Sequence, residues 1–281
     1  MRLPDLVLIG SPKAGTTSLC DALGQHAGLW MVPGKETQYF SHHLHNGLDW
    51  YASLFADAPA DKLVAEGTPD YTEGLRSRTI APMLHDAMPE ARLIYMVREP
   101  LSRIQSHYVQ DIENARGAFI PFSDAVRQRP HLVETSAYWA RISDYLSVFR
   151  RDQIHVVFLS DFLAHEEACL QGCFEFLGLP MQEAVQARHL NARTEKRRDT
   201  KLMEKLRRNP LFDTAKALMP RGLIEKAKPL LRKKVGNEVD AKWDPALRDE
   251  VLLRLRDDNR RFLTEFGKPA DFWDRIREEA A

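Results

Sequence analysis

The sequence contains few cysteines, no excess of either charge and no long hydrophobic run. Three cysteines among 281 residues cannot form the disulfide framework of a small secreted domain, so Cys20, Cys169 and Cys173 are predicted to be buried free thiols. Basic and acidic residues number 40 each, which gives no overall attraction to nucleic acid. Apolar runs fall far short of the roughly 20 residues that span a membrane, and the first residues lack the pattern of a secretory signal. We therefore expect a cytoplasmic protein without nucleic acid partners.

The order of the apolar segments predicts an α/β fold. Short β-prone runs, such as "DLVLIG", "RLIYMV" and "QIHVVF", alternate with segments of helical periodicity, such as "TTSLCDALGQH" and "LSRIQSHYVQDIENA". This alternation requires crossover connections, so we expect three layers, with a mostly parallel central sheet flanked by helices. We expect one domain over residues 1–281, divided into an α/β core at 1–192 and a helical, basic part at 193–281.

The C-terminal third has a helical pattern throughout, punctuated by prolines. Its segment "DPALRDEVLLRLRDDNRRFLTEFG" predicts a final helix that packs against the sheet. The predicted buried stripe consists of Leu247, Val251, Leu255, Asn259, Phe262 and Phe266.

Positive charge is concentrated in residues 193–234, which hold 15 Lys or Arg against 5 Asp or Glu. Two interpretations of this basic segment rest on its charge alone. It could make peripheral contact with an anionic membrane or an anionic acceptor. It could also be a set of solvated helices that pair with the acidic remainder of the chain.

The stretch "LIGSPKAGTTSL" has the form of a strand, a glycine-containing turn and a helix start. Gly10 and Gly15 allow a tight turn, Lys13 supplies a cation, and Thr16 and Thr17 place hydroxyls where a helix offers unpaired N–H groups. We expect an anion cradle. Lys13 precedes the second glycine, unlike the lysine of the nucleotide-triphosphatase pattern G-x-x-x-x-G-K-[ST]. The alternative is a structural turn with a surface lysine and a threonine cap.

The stretch "IYMVREPLSRIQSHY" predicts a second anion site. Arg98 follows a buried strand, at the sheet edge where ligands of open α/β sheets bind. Ser106 lies about two turns into the following helix if that helix begins near Pro100. Arginine can grip a phosphate with two hydrogen bonds and serine can add a third. The alternative is an ion pair of Arg98 with Glu99 or Asp111.

Together, "PKAGTTSL" and, about 80 residues later, "VREPLSRIQSHY" resemble the two nucleotide-binding segments of sulfotransferases that use 3′-phosphoadenosine 5′-phosphosulfate (PAPS). In that family the first segment cradles the 5′-phosphosulfate and the second holds the 3′-phosphate. "GKETQYFS", "GLDWY" and "EGTPDYT" resemble segments of the heparan-sulfate branch. The resemblance covers residues 4–180 well. In the family a basic segment near the C-terminus closes over the nucleotide, and the resemblance implies that "RKKVGNEVDAKWDP" could take that role as a third interpretation of the basic segment. It implies a P-loop-like fold, PAPS as donor, 3′-phosphoadenosine 5′-phosphate (PAP) as product, and no metal.

Carried over residue by residue, the resemblance makes Glu36 the base that takes the acceptor's proton and Lys13 the partner of the bridging and phosphate oxygens. A loop carboxylate near a cradle also suits a general base on physical grounds, although Glu36 could be a surface residue beside Lys35. The donor-binding residues are predicted to be Lys13, Ala14, Gly15, Thr16, Thr17, Ser18, Arg98 and Ser106. Those at the acceptor are predicted to be Glu66, Asp70, Tyr71 and His42.

One departure from the family pattern and several alternatives accompany this assignment. Gly67 stands where the family has a lysine, so a cation near the sulfuryl group is expected to be missing. The histidines His42, His43 and His45 lack a nearby carboxylate or cysteine that would complete a metal site, but one of them could replace Glu36 as the base. The acceptor is predicted to be a glycan or glycolipid, with a small-molecule or lipid alcohol as the alternative. An atypical nucleotide kinase and a non-catalytic binding module are the competing functional classes.

Overall fold

Five parallel strands form the central sheet in the computed structural model of the chain, which describes residues 2–113, 120–180, 197–199, 232–234 and 240–279. The strands are β1 (Leu6–Gly10), β2 (Leu29–Met31), β3 (Leu63–Glu66), β4 (Arg92–Val97) and β5 (Ile154–Phe158). Their order across the sheet is β2, β3, β1, β4, β5, and every neighbouring pair is parallel. The predicted parallel sheet is confirmed.

Helices connect the strands and cover both faces of the sheet. The described helices are α1 (Thr16–Leu23), α2 (Gly47–Ser53), α3 (Ser77–Ala87), α4 (Pro100–Glu113), α5 (Phe122–Gln128), α6 (Pro130–Glu134), α7 (Tyr138–Leu146), α8 (Leu159–Ala164), α9 (Glu166–Leu177), α10 (Pro245–Glu265) and α11 (Phe272–Glu279). Short irregular helical turns occupy Tyr39–His43, Leu44–Asn46 and Pro69–Thr72. Within the described ranges, none of the helices combines the length and the apolar character needed to cross a membrane.

The alternation of side chains along β4 divides the core into two layers. Tyr95 packs with residues of α3, α7 and α10 on one face, whereas Ile94 packs with residues of α1 and α9 on the other. Both are fully buried. A strand that is buried on both faces explains why the sequence of β4 is an almost continuous apolar run rather than an alternating one. This arrangement confirms the predicted three layers.

The predicted final helix is present as α10, but it packs against more than the sheet. Asp244 caps its first turn by accepting a hydrogen bond from the Leu247 N–H at 2.9 Å. Leu247 and Leu255 pack on α4, α5 and α6, whereas Phe262 packs beside Tyr95 of the sheet. The predicted stripe is therefore buried along nearly its whole length, while Phe266 at its end is half-buried.

The prediction of an all-helical C-terminal third is wrong in one respect. Strands β6 (Arg197–Asp199) and β7 (Arg232–Lys234) form a two-stranded antiparallel sheet. The two strands are more than 30 residues apart in the sequence, so the periodicity within either segment could not reveal that they pair with each other. The rest of the basic segment 193–234 lies outside the described residues, and its interpretations stay predictions.

Two of the three cysteines are buried, as predicted, and Cys169 is half-buried. Burial raises the pKa of both Cys20 and Cys173 to about 12. These thiols are therefore packing residues rather than nucleophiles near neutral pH.

Candidate active site

The predicted cradle lies at the carboxyl end of β1, in the middle of the sheet. The Ser11 N–H donates to the Met96 carbonyl at 2.6 Å, which fixes the start of the loop against β4. Gly15 precedes α1 with φ +94°, a left-handed conformation that glycine adopts without strain. It provides no side-chain cap, and the first turn of α1 contains no acidic residue. The positive end of the helix dipole therefore faces this edge of the sheet.

Two arginines hold the carbonyl groups of the cradle loop. Arg103 donates to the Pro12 carbonyl at 3.4 Å, and Arg98 donates to the Lys13 carbonyl at 3.4 Å. Because C=O and N–H point in opposite directions in a trans peptide, this turns the Lys13 N–H away from the Arg103 guanidinium. The two guanidinium groups thus contact the loop on the side of its carbonyl oxygens.

Arg103 is a site residue that the sequence reasoning missed. Its side chain is fully buried and also donates to Ser136 Oγ at 2.6 Å and to the Leu132 carbonyl. A signal existed, since a basic residue among the buried positions Leu101 and Ile104 of α4 requires partners inside the protein.

The other predicted cradle residues lie in the loop and the first turn of α1, and they differ in how deeply their side chains are buried. The Ala14 methyl group is in the core, and its N–H donates to the Ser11 carbonyl at 3.1 Å. Thr16 is nearly buried, whereas Thr17 and Ser18 are half-buried. Hydroxyl groups rather than aliphatic side chains thus line the start of the helix.

Lys35 is the second missed residue, and it joins the cradle to the predicted base. Its Nζ donates to Thr16 Oγ1 at 3.2 Å, to Thr17 Oγ1 at 3.4 Å and to Glu36 Oε1 at 2.9 Å. The Glu36 side chain is 36% exposed, so its carboxylate is accessible to a second molecule. The structure therefore brings Glu36 beside the cradle, as predicted, with Lys35 between them.

Gly67, where a family lysine was expected, is in contact with this lysine. A Cβ atom at position 67 would lie 2.6 Å from Cys20 Sγ and 3.2 Å from Lys35 Cε. A side chain at position 67 would therefore require its neighbours to move. The stem of Lys35 packs in the space beside this glycine.

Arg98 follows β4 and Ser106 lies in α4, which begins at Pro100 as predicted. The Tyr138 hydroxyl donates to the Arg98 carbonyl at 2.6 Å. Glu99 accepts from the Ser102 N–H at 2.7 Å and forms an ion pair with Arg277 of α11 at 2.9 Å. The carboxylate proposed as an alternative partner of Arg98 thus caps α4 and binds the C-terminal helix.

The second alternative partner of Arg98, Asp111, also has other contacts. It lies 3.1 Å from His131 Nε2 and 3.5 Å from Arg129. Ser106 itself is half-buried on α4.

The four residues predicted at the acceptor separate into two pairs. Glu66 and Tyr71 are fully buried, so neither is placed to touch an acceptor. The sequence did not predict this, because motif spacing does not reveal burial. Asp70 and His42 lie together, with His42 Nε2 3.1 Å from Asp70 Oδ2. Burial raises the pKa of Asp70, and the Arg76 guanidinium, 3.0 Å away, opposes that shift.

The histidines considered as metal ligands do not share one site. His42 binds Asp70, whereas the rings of His43 and His45 lie 6.3 Å apart, centre to centre. Among the described residues, potential ligand atoms of Glu73, His107 and His131 do lie within 4.8 Å of one another.

The charges of this second group are already compensated by arginine. Arg76 forms an ion pair with Glu73 at 2.9 Å, and Arg103 Nη1 lies 3.1 Å from His107 Nδ1. A guanidinium donating to Nδ1 leaves the His107 proton on Nε2, the atom that faces Glu73 at 3.1 Å. This arrangement favours an internal ion-pair network over a cation site.

Glu73 makes the stability of this network dependent on pH. Burial alone would raise the pKa of Glu73, but the His107 hydrogen bond and the Arg76 charge lower it to about 2. A lowered pKa in the folded state stabilises the protein above pH 4.5, and this contribution is lost as the pH falls toward 2. We expect Glu73→Gln to lower the free energy of unfolding at pH 6.5 by about 3 kcal/mol.

Urea unfolding at pH 6.5 and pH 3.5 measures this effect. The difference between wild type and Glu73→Gln should shrink at the lower pH, whereas Glu90→Gln, whose side chain in the wild type is 80% exposed, should show no comparable loss. Equal losses at both pH values would contradict the assignment.

Comparisons with known proteins agree with this architecture. The family model described as "Sulfotransferase domain" matches residues 3–251. The membrane-associated sulfotransferase kil1 of Dictyostelium discoideum is 35% identical over 109 residues, or 38% of this chain and 22% of that protein. Heparan sulfate glucosamine 3-O-sulfotransferase 6 of Homo sapiens is 28% identical over 141 residues, or 50% of this chain and 40% of that protein. The chain thus spans less than half the length of these two relatives.

The fold also matches a solved structure. The crystal structure of a sulfotransferase from Alicyclobacillus acidocaldarius superposes with a TM-score of 0.68 at 19% identity, covering 98% of this chain and 100% of that chain. That likeness concerns the fold, while the family model covers most of the sequence. The chain belongs to the sulfotransferase domain family.

Proposed function

We propose that the protein transfers a sulfuryl group from PAPS to a hydroxyl or amine group of an acceptor and releases PAP. The observation that carries this proposal is the proximity of two cationic sites at one edge of the sheet. The cradle occupies the start of α1, and Arg98 touches its loop through the Lys13 carbonyl at 3.4 Å. A nucleotide with anionic groups at both its 5′ and 3′ positions matches such a pair of sites better than one with a single phosphate chain.

The residues present fit such a donor. Lys13, Lys35 and Arg98 supply positive charge, and the first turn of α1 has no acidic side chain that would repel an anion. When bound, PAPS supplies the sulfuryl group, and the S–O bond to its 5′-phosphate breaks with the electron pair left on the phosphate oxygen. In this proposal the cradle N–H groups, Lys13 and Lys35 stabilise the negative charge that grows there.

Glu36 is the proposed general base. It accepts the proton of the acceptor hydroxyl or amine as the new bond to sulfur forms. Lys35 holds its carboxylate at 2.9 Å, within one side chain's length of the hydroxyls of α1. This lysine is also placed to supply the cation that was expected to be missing at position 67. One side chain thus sets the distance between base and donor.

A glycan or glycolipid is the proposed acceptor, supported by the relatives that are named for heparan sulfate. Asp70, in the "EGTPDYT" segment, is half-buried and pairs with the exposed His42, so this polar pair supports an acceptor-binding role. Transfer of labelled sulfate from PAPS to heparan sulfate, to a glycolipid and to a small alcohol in parallel separates the acceptor classes. A single-domain chain, a cytoplasmic location and membrane contact through residues 193–234 stay predictions from the sequence.

The donor is tested by calorimetric titration with PAP and with ATP plus Mg²⁺. We expect PAP to bind more tightly, without metal, and Arg98→Ala to weaken its binding by about 10- to 100-fold through loss of charge-assisted hydrogen bonds. Arg92→Ala is the matched control, because Arg92 lies at the opposite end of β4 and donates to the Leu177 carbonyl. A preference for ATP with Mg²⁺ would replace this proposal with the kinase alternative.

A further inference from the structure

Glu66, at the end of β3, is a fully buried carboxylate enclosed by hydroxyl groups. Its oxygens accept hydrogen bonds from Thr37 Oγ1 at 2.5 Å, Tyr51 OH at 2.7 Å, Thr68 Oγ1 at 2.8 Å and Tyr71 OH at 3.0 Å. These donors come from the loop after β2, from α2 and from the segment after β3. We call them the hydroxyl cage. Three separate segments within residues 37–71 therefore meet at one side chain.

The cage also binds the backbone that follows Glu36. Four successive backbone N–H groups, those of residues 37–40, donate to Glu66 or to members of the cage. The bonds run from Thr37 N to Glu66 Oε2 at 3.4 Å, from Gln38 N to Thr68 Oγ1 at 3.2 Å, from Tyr39 N to Thr37 Oγ1 at 3.3 Å and from Phe40 N to Tyr71 OH at 3.4 Å. Backbone N–H groups of a buried loop need such partners, and here each one ends on this cluster.

The direction of these bonds requires an acceptor at the centre. A hydroxyl has a single proton, so each cage hydroxyl that receives a backbone N–H donates its own proton inward. An ionised carboxylate can accept hydrogen bonds from all of these hydroxyls. The side-chain amide of a glutamine would instead place an NH2 group, which is a donor, against some of them. Burial raises the pKa of Glu66, and the four hydroxyl donors oppose that shift by stabilising the charged form.

We propose that Glu66 is a positioning residue that holds residues 37–40, and with them the carboxylate of Glu36, beside the anion cradle. The proposal rests on the proposed role of Glu36 as base. Lys35 fixes Glu36 on one side, through its ammonium group, and the cage fixes the backbone on the other. Gln38, at φ +53°, lies within the loop in a conformation that most residues avoid, so the loop needs this external support.

Two tyrosines provide a matched test. Tyr51 and Tyr71 are both fully buried and both donate to Glu66 Oε1, but Tyr71 also accepts the Phe40 N–H. We expect Tyr71→Phe to lower kcat at least about tenfold more than Tyr51→Phe, with an unchanged KM for PAPS and a similar loss of thermal stability. Equal kcat values for the two variants would overturn the proposal, because a cage that only stabilises the fold would not distinguish them.

Glu66→Gln provides a second, independent test. We expect it to lower kcat at least tenfold while PAP affinity stays within about twofold of wild type, and to raise hydrogen exchange at the amides of residues 37–40. Wild-type kcat together with unchanged exchange in Glu66→Gln would overturn the proposal. Faster exchange in Glu66→Gln, combined with full activity of Glu36→Gln, would instead support the positioning role of Glu66 and remove Glu36 as the base. Failure of the positioning role and failure of the proposed base are therefore distinguishable.

Discussion

Glu36→Gln is expected to lower turnover by about 10²- to 10⁴-fold, which is the range that a positioned general base contributes. Glutamine keeps the shape of the side chain but cannot take the acceptor's proton. PAP affinity should stay within about twofold of wild type, because Lys13, Arg98 and the start of α1 hold the nucleotide in the proposed site. Turnover is measured as sulfuryl transfer from PAPS to whichever acceptor is sulfated in the parallel assay described above. Calorimetric binding of PAP to the same sample measures the affinity.

Two further variants make this result specific. Glu265→Gln changes an exposed glutamate near the end of α10 and should leave both quantities unchanged. His42→Gln tests the alternative base, and it should not reproduce the loss of turnover. An equal loss of turnover and PAP affinity in Glu36→Gln would remove the proposed role, because it would place Glu36 in donor binding.

Arg103→Leu is expected to cause the largest loss of stability, at about 3–5 kcal/mol of unfolding free energy, since each unsatisfied buried acceptor costs about 1–3 kcal/mol. Leucine would leave the Pro12 and Leu132 carbonyls and Ser136 Oγ without their donor. The Pro12 contact lies in the cradle loop, so PAP affinity should fall as well. Urea unfolding at pH 7 and calorimetric titration with PAP measure the two effects.

Arg256→Leu serves as the comparison, because Arg256 is 49% exposed and its ion-pair partner Asp257 is 83% exposed. Its loss should be clearly smaller. A loss below about 1 kcal/mol in Arg103→Leu would mean that water satisfies the acceptors and that the arginine does not support the loop.

The parts of the fold that the sequence predicted are those that depend on local patterns. β4 is an apolar run that ends before Pro100, and α10 has a stripe of buried residues with a capping aspartate, so each is recognisable from its own residues. The pairing of β6 with β7 depends on two segments far apart in the chain, and no local pattern encodes it.

The candidate site divides in the same way. Lys13, Gly15 and Arg98 were predicted as site residues because strand ends and glycine turns place them at the sheet edge. Lys35 and Arg103 were missed because their partners lie on other elements of the fold. The burial of Glu66 was not predicted, for a related reason. Residues that share a short motif need not share a surface, and only the convergence of distant hydroxyls explains a carboxylate at that position.

The contact between positions 20, 35 and 67 has a consequence for sequence variation. A side chain at position 67 would meet Cys20 Sγ at 2.6 Å and the stem of Lys35 at 3.2 Å, so these positions are coupled by volume rather than by charge. A substitution at Gly67 alone is penalised, whereas the same substitution with a smaller residue at position 20 is accommodated. Directed evolution that randomises position 67 alone will therefore return mainly glycine. Randomising the three positions together gives access to other side-chain packings around Lys35.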